Sequence, residues 1–560
     1  MILLDAQIPS FDRYLEECGR FWGGIDQRRT RNDGYVVVDL LHNNGPILLG
    51  SLFVGRLVAH RTGARLAAIV SDKFLEWPTP VKEVRRLAAA FGVERFHHIE
   101  AEAAPVPGPS LGRRVRGWLG GERERLLERL ERLSGAALRE AVLGIAIDGV
   151  PVGDLLYDTY LRNAAIASVE APAPGLLREI FAAFPRIRRY REIMGRPENV
   201  SSVVSHPTYI DSGGLLRATV ALGKPCYCKI APERYQIRKY RTIPEAYEYP
   251  WPTEEDLRFV QGHLGAELSR RADVFFPPQR QRAEEISYFA LSYGADALRP
   301  AAAELRERLG IAAEVPVVSI TAPMFDDAPH SIPDTLFPDP GVWLRETLAV
   351  AATVDRVVWL VRNHPYAVAL GQTANFDAIV GPYAERHGHI KVCPPGIATE
   401  AMFPLVQANV SVASTACLEM ASVGIPSVVA GRPNYADMGF MTRPRTVSDY
   451  GDALRRIDRL PRLSAEQIMT AKELAYVFFN CSTHTPRFAP PLVAAASPGV
   501  RPIGPEDISG YWDAATELLR DYDLDGDPVR HDFERMEALG RSFMLRFHEI
   551  EPAAAGRRVP

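Results

Sequence analysis

The chain has 560 residues, of which 47% are hydrophobic and 24% are charged, the balance of a globular protein with a sizeable core. A chain of this length predicts two to four domains. Its formal net charge of −4 gives no global basic field of the kind that nucleic-acid binding favours, so no nucleic-acid partner is expected. The six cysteines are too sparse for a disulfide framework, which suits a reducing compartment.

The sequence carries no targeting signal that we can identify. The start MILLDAQIPSFDRYLEE has no basic residues followed by an apolar run, so no signal peptide is predicted. No segment approaches the ~20 uninterrupted apolar residues that a spanning helix needs. Residues 112–133 are basic and then alternate in charge, which favours a solvated helix over a membrane-surface helix. We expect a cytoplasmic protein, at most peripheral to the cytoplasmic face of the inner membrane.

The first half of the chain alternates apolar strands with helices. Strands are predicted at 34–41, 64–71, 95–100, 201–205 and 225–230, and helices at 47–62, 81–92 and 213–222. Strand, helix and strand at this spacing are typical of a parallel sheet.

The second half restarts the same pattern. Strands are predicted at 315–321, 356–362, 389–393, 409–414 and 426–431, and helices near 465–478, 505–520 and 532–547. We therefore predict an α/β fold with two Rossmann-like doubly wound domains that face each other across a cleft. The first domain is expected over 1–300, with a polar excursion at about 231–282, and the second over 301–490. The C-terminal helices, over 491–560, are expected to pack back on the first domain.

A histidine follows a strand of the second half. The strand at 356–362 runs into Asn363, His364 and Pro365, at the mouth of the predicted sheet. The proline restricts His364 to an extended conformation, which fixes the direction of the imidazole. A His-Pro pair also occurs in turns without any ligand, so this motif alone does not establish a site.

A hydroxyl pair follows a second strand of the same half. The strand at 409–414 ends in Ser414 and Thr415, at the start of a short helix whose free N–H groups suit a phosphate. Glu419 lies one helical turn after Thr415 on the same face, where it can accept hydrogen bonds from ribose or sugar hydroxyls. Serine and threonine also serve as simple helix caps. Together with His364 at another strand end of the same half, the pattern favours a ligand site.

These motifs resemble those of the glycosyltransferases of capsule and lipopolysaccharide (surface polysaccharide) biosynthesis that use CMP-activated acidic sugars, such as Kdo and sialic acid. That family has a His-Pro after a strand of its C-terminal domain and a Ser/Thr pair followed by a glutamate-bearing helix. Further similar segments lie at 150–162, 205–228, 321–331 and 431–444. The CDP-glycerol polymerases of teichoic acid synthesis share a similar pair of motifs. The resemblance implies a GT-B fold, with acceptor binding in the first domain and nucleotide-sugar binding in the second.

The resemblance also implies roles for the motif residues. His364 is expected to contact the donor phosphate, where a cationic imidazole adds to the stabilisation of the leaving group. Ser414 and Thr415 are expected to bind the phosphate or the cytosine edge. Arg362 is either a further cation of the site or an ordinary strand-end residue, and Thr321 opens a loop predicted to lie in the cleft.

No cofactor and no metal are expected beyond the donor itself, a CMP-sugar. Asp326 and Asp327 form an acidic pair, for which an Asx turn beside Pro329 is favoured over metal ligation.

An inverting transfer needs a general base in the first domain. Asp158 is the first candidate, because its aromatic surroundings predict partial desolvation and a raised pKa. Asp211 and His206 follow, and residues 211–214 also suit an anion nest. His42 follows the first strand, where a turn without a ligand and contact with a sugar are equally favoured.

The leading hypothesis is an inverting glycosyltransferase that moves a Kdo-like acidic sugar from a CMP-activated donor to a surface polysaccharide or lipid-linked acceptor. A CDP-glycerol or polyol-phosphate transferase is the nearest enzyme alternative, although the near-neutral charge argues mildly against it. A sugar-nucleotide epimerase is a third. The remaining alternative is a non-catalytic glycan-binding or assembly protein with the same fold. The sequence leaves the oligomeric state open.

Overall fold

The computed structural model describes residues 8–27, 32–42, 44–71, 81–99, 121–230, 235–275, 297–490 and 505–551. The strands within these ranges are β1 (Tyr35–Asp39), β2 (Arg65–Val70), β3 (Val93–His98), β4 (Ala146–Ile147), β5 (Val150–Pro151), β6 (Asn199–Val204), β7 (Cys226–Ile230), β8 (Gln236–Tyr240), β9 (Val317–Thr321), β10 (Val358–Arg362), β11 (Ile390–Val392), β12 (Ala408–Ser411), β13 (Ser427–Val429) and β14 (Met441–Thr442). The α-helices of the first half are α1 (Pro9–Gln27), α2 (Gly45–Thr62), α3 (Val81–Ala90), α4 (Gly121–Leu130), α5 (Gly135–Leu143), α6 (Gly153–Ala164), α7 (Pro174–Gly195), α8 (Gly214–Ala221), α9 (Glu254–Leu264) and α10 (Ala266–Phe275). Those of the second half are α11 (Ala302–Leu309), α12 (Pro340–Ala351), α13 (Pro365–Ala369), α14 (Ala374–Arg386), α15 (Thr399–Met402), α16 (Thr415–Ala421), α17 (Val447–Arg455), α18 (Ala465–Tyr476), α19 (Pro505–Arg520), α20 (Pro528–Ala538) and α21 (Phe547–Ile550).

The N-terminal sheet has the strand order β3-β2-β1-β6-β7-β8. All neighbouring strands are parallel except β8, which runs antiparallel to β7. Strand β1, with the sequence YVVVD, is buried along its whole length, since helices cover both faces of the sheet. Its consecutive residues Val36 and Val37 point to opposite faces and accordingly enter two different hydrophobic cores.

The C-terminal sheet has the order β11-β10-β9-β12-β13-β14 and is parallel throughout. Val317 and Val318 of β9 again point into different cores on its two faces. In each sheet the strand order reverses beside the first strand, between β1 and β6 and between β9 and β12. Ligands of such sheets bind at this reversal, outside the carboxyl ends of the strands. The two Rossmann-like doubly wound domains predicted from the sequence are confirmed.

The C-terminal helices pack on the N-terminal domain. Trp512 of α19 lies 4.8 Å from the ring of Phe11 and 5.1 Å from that of Tyr14, both on α1. Just before α21, Met544 N donates to the carbonyl oxygen of Ile237 on β8 at 3.0 Å. The last described segment therefore lies along the antiparallel edge of the first sheet.

Three details differ from the sequence expectation or lie outside the described residues. The segment predicted as a polar excursion contributes the edge strand β8 and the helices α9 and α10, because Ile237 and Tyr240 are apolar and buried, one on each face of the strand. The helix expected over 532–547 ends with α20 at Ala538, and Gly540 then adopts a positive φ of 66°. Of residues 112–133, the structure describes 121–133, which form α4 and the turn after it. The described helices include none that is both long enough and apolar enough to cross a bilayer.

Candidate functional site

The carboxyl ends of β9 and β10 carry two of the residues predicted for the donor site. Thr321 is buried, and its hydroxyl donates to Asn409 Oδ1 on β12 at 3.1 Å. Arg362 is also buried, and its guanidinium donates to Thr399 Oγ1 at 2.8 Å and to the carbonyl oxygen of Ile397 at 2.7 Å. In this structure Arg362 holds the segment after β11 in place. That is the role of an ordinary strand-end residue, one of the two alternatives that the sequence left open.

His364 is half-buried and caps α13, where its Nδ1 accepts a hydrogen bond from Tyr366 N at 3.2 Å. Burial lowers the pKa of His364 to about 4, although the nearby Asp327 carboxylate opposes the shift. This direction favours a neutral imidazole near pH 7, whereas a phosphate beside the ring favours the cation, so the cationic imidazole expected at the donor phosphate stays a prediction. In the neutral ring, an Nδ1 that accepts places the remaining proton on Nε2, so that Nε2 is a donor.

The hydroxyl pair lies at the start of α16. Ser414 Oγ accepts from Ala416 N at 3.2 Å, so Ser414 is the helix cap. The Tyr435 hydroxyl holds the backbone of Ser414, because it accepts from Ser414 N at 3.0 Å and donates to the Ser414 carbonyl oxygen at 2.5 Å. Thr415 is half-buried. Glu419 is 2% exposed, one turn further into the helix.

Asp158, the first candidate for the general base, lies in a buried contact between the domains. It is 2% exposed. Its Oδ1 lies 2.5 Å from His330 Nδ1, and its Oδ2 accepts from His330 N at 3.2 Å. His330 Nε2 lies 2.8 Å from the carbonyl oxygen of Pro338. Both carboxylate oxygens are thus used by the C-terminal domain, and the structure does not place Asp158 at an open cleft.

Asp211, the second candidate, pairs with the half-buried Arg186 of α7 through a short ion pair. Asp211 belongs to a π-helical turn (Tyr209–Gly213) that follows the loop after β6. This ion pair ties the turn to the helix layer behind it. The carboxylate of Asp211 is therefore used within the N-terminal domain.

A polar bridge joins the strand-end loops of the two domains. The Tyr209 hydroxyl accepts from Arg162 Nη1 at 2.8 Å and donates to Asp327 Oδ1 at 3.0 Å. Arg162 Nη1 also lies 3.7 Å from Asp327 Oδ1. Tyr209 has a positive φ of 58°, which costs about 1–3 kcal/mol in a residue other than glycine. Because both loops follow the carboxyl ends of their strands, these two ends of the sheets face each other.

His206, the third candidate, lies at the reversal point of the N-terminal sheet. Its ring stacks on that of His42, with 5.4 Å between the centroids and an angle of 24° between the planes. His42 follows β1 and His206 follows β6, which are adjacent parallel strands. His206 thus contacts a second residue, His42, that the sequence offered as a possible ligand contact, whereas the carboxylates of Asp158 and Asp211 are held by structural partners.

Three residues with clear structural roles in this region were not identified from the sequence. Asp39 lies at the end of β1 and binds the loop after β6; an acidic last residue in an otherwise apolar strand is a usable signal. His330 lies in a segment, 321–331, that the resemblance had singled out. Tyr435 lies in another such segment, 431–444. A single sequence gives no signal that pairs His330 with Asp158 across the domains.

The strand order and the facing strand ends define a two-domain α/β protein of the GT-B architecture. No family model matches the chain, and no curated protein matches it. Among the described residues, no group of three His, Cys, Asp or Glu side chains is placed to hold a metal ion.

Solved structures show only a distant likeness. The β-Kdo 2,4 transferase KpsC of Thermosulfurimonas dismutans is 14% identical, with a TM-score of 0.31 over 50% of this chain and 81% of that one. HepE of Anabaena, solved with UDP and glucose, is 10% identical, with a TM-score of 0.24 over 80% and 94% of the two chains. The wall teichoic acid polymerase TagF is 9% identical, with a TM-score of 0.21 over 91% and 98%. Likeness at this level carries no functional argument.

Proposed function

We propose that this protein is a GT-B glycosyltransferase that transfers a CMP-activated acidic, Kdo-like sugar to a surface polysaccharide or lipid-linked acceptor. The observation that carries the proposal is the bridge Arg162–Tyr209–Asp327, which brings the strand-end loops of the two domains face to face. Such a cleft suits a reaction between two substrates, one on each domain. The resemblance of the C-terminal motifs supports the choice of donor.

The donor site lies at the reversal point of the C-terminal sheet. His364 donates from Nε2 to an oxygen of the leaving phosphate, and a preorganised donor of this kind stabilises the charge that develops there. Thr415 offers a second hydroxyl donor. Ser414 holds the start of α16, and Glu419 accepts from the ribose or sugar hydroxyls. The transfer in this proposal requires no metal, since protein donors offset the phosphate charge.

Calorimetric titration with CMP, CDP, UDP and GDP, with and without EDTA, tests the proposal. CMP is expected to bind most tightly and to be insensitive to EDTA. His364→Asn is the sharpest variant, because asparagine retains an N-cap acceptor for Tyr366 N while removing the Nε2 donor. Loss of one hydrogen bond to a charged group, about 1.5–3 kcal/mol, weakens CMP binding about ten- to a hundredfold.

The control is His387→Asn at the end of α14, which is expected to leave CMP affinity unchanged. Tighter binding of UDP or GDP would overturn the CMP assignment and leave the glycosyltransferase proposal in place. Tightest binding of CDP, with glycerol-phosphate transfer, would favour the polyol-phosphate transferase. Absence of binding by all four nucleotides would overturn the donor site itself.

A further inference from the structure

The first domain has a reversal point of its own, and two imidazoles occupy it. His42 and His206 follow β1 and β6, the two strands between which the sheet order reverses. Their rings are stacked, and both side chains are half-buried rather than sealed in the core. His206 Nδ1 is buried and makes no hydrogen bond within the described residues. A stacked pair with an unsatisfied ring nitrogen is an unusual arrangement for residues that only complete a turn.

One buried carboxylate holds both histidine-bearing loops. Asp39 Oδ1 accepts from Leu41 N at 2.9 Å, in the loop that carries His42. Its Oδ2 accepts from Ser205 Oγ at 3.4 Å, beside His206, and forms a short bond with Ser212 Oγ. Burial raises the pKa of Asp39, and these hydrogen bonds offset part of that shift. Asp39 therefore fixes the relative position of the two loops without touching either ring.

Burial and the nearby charges lower the pKa of both imidazoles. Burial is the largest cause that lowers the pKa of His42 to about 4, followed by the nearby Arg162 and Lys229, while Asp211 opposes the shift. Burial also lowers the pKa of His206, and His42, Lys229 and Arg162 add to this effect. The rings thus present unprotonated nitrogens at neutral pH. An anionic donor in the cleft offsets the positive charge of Arg162 and raises both imidazole pKa values toward the range of an effective base.

We propose that the stacked imidazoles of His42 and His206 accept the proton of the acceptor hydroxyl, and that Asp39 is the positioning residue that holds them. This inference rests on the proposed function. The acceptor oxygen forms its bond to the anomeric carbon as its proton passes to one imidazole nitrogen. The bond from the anomeric carbon to the phosphate oxygen breaks, and its electron pair leaves with the nucleotide. The pair carries one proton at a time, because adjacent imidazoliums repel each other, and that proton then passes to water.

The experiment uses the full chain and a CMP-activated ulosonic acid, CMP-Kdo, with water as the acceptor. CMP release is measured at pH 8 for His42→Gln, His206→Gln and the control His531→Gln, an exposed position on α20. The first two variants are expected to lower the rate about a hundredfold, the usual contribution of a general base, and to leave calorimetric CMP affinity within twofold. The control is expected to match the unaltered chain.

The pH profile of Asp39→Asn separates positioning from folding. The unaltered chain is expected to hold its kcat/KM constant from pH 8 down to about pH 5, because His42 titrates near 4. Release of the two loops solvates the rings and raises their pKa toward about 6.5, so the acid limb moves into the range between pH 5 and 7. If the role of Asp39 were purely structural, Asp39→Asn would lower the rate by the same factor at every pH.

The outcomes separate this inference from the proposed function. Rates of both glutamine variants within threefold of the unaltered chain, at preserved CMP affinity, would overturn the base assignment alone. An acid limb that stays in place in Asp39→Asn would overturn the positioning role. CMP binding without any CMP release by the unaltered chain would indicate a non-catalytic protein and would overturn both proposals. If none of the four nucleotides binds, the donor site of the proposed function is overturned, whatever the role of the histidines.

Discussion

Replacement of Asp158 distinguishes a structural contact between the domains from a catalytic base. The carboxylate is buried and bonded through both oxygens to His330, from the loop after β9. Asp158→Ala removes two hydrogen bonds to a charged group, each contributing about 1.5–3 kcal/mol. The sum, about 3–6 kcal/mol of unfolding free energy, is close to the usual cost of breaking a buried pair, about 3–5 kcal/mol.

The contribution of this pair depends on pH. Burial alone lowers the pKa of His330, but the Asp158 carboxylate and its hydrogen bond outweigh that effect and raise it. Burial raises the pKa of Asp158 as well. The Asp158–His330 pair therefore binds a proton more tightly in the folded protein than in the unfolded chain. The stabilisation is complete below the ordinary imidazole pKa of about 6.5 and is lost as the pH rises through the raised pKa of His330.

Urea unfolding at pH 6 and pH 9 measures both effects. The difference between the unaltered chain and Asp158→Ala is expected to be larger at pH 6, and Asp377→Ala, at an exposed site on α14, is expected to change stability by under about 0.5 kcal/mol. A double-mutant cycle with His330→Ala is expected to give a coupling energy of about 2–3 kcal/mol. The reasoning is refuted if Asp158→Asn retains full stability and CMP affinity but loses CMP release, the behaviour of a base.

Three further predictions concern the scaffold. Trp512→Ala removes the α19 side chain that packs on two aromatic rings of α1, and urea unfolding is expected to show a loss of about 3–5 kcal/mol. Gly341→Ala places a Cβ 2.6 Å from a backbone carbonyl oxygen of the first domain and is expected to lower Tm, whereas Gly262→Ala, a site inside α9 with open space, is expected to raise it slightly. Asp532 has a lowered pKa, because hydrogen bonds from two histidines outweigh its burial, and the pKa of His548 is raised chiefly by its bond to Asp532. Stability from this contact is thus lost as the pH falls through the lowered carboxyl pKa, and again as it rises through the raised imidazole pKa; Asp532→Asn is expected to flatten the stability profile on both sides.

The architecture could be predicted from the sequence because buried parallel strands leave a strong local signal. The run YVVVD of β1 and the run VWLVR of β10 are apolar on both faces, as strands covered by helices must be. The edge strand β8 was missed, because its sequence QIRKY lacks a regular apolar alternation and lies within a polar segment. Its pairing with β7 and with the segment before α21 is a tertiary interaction that local composition does not reveal.

The candidate site was predictable only in part. Strand-end positions such as those of His364 and Ser414 follow from local patterning, so the sequence could identify them. Which carboxylate is open to a substrate depends on contacts between distant segments: Asp158 meets His330 across 172 positions of the chain. Burial likewise lowers the pKa of His364, and a sequence does not give the depth of one side chain.

The contact between α1 and α19 brings together residues about 500 positions apart, as in the ion pair of Arg13 with Asp513. The first domain therefore lacks part of its apolar covering until the ribosome has synthesised α19. Until then the aromatic rings of α1 are exposed to chaperones and proteases. A chain cut short before Trp512 keeps that exposed surface permanently, so cells are expected to degrade such fragments even though both sheets are already complete.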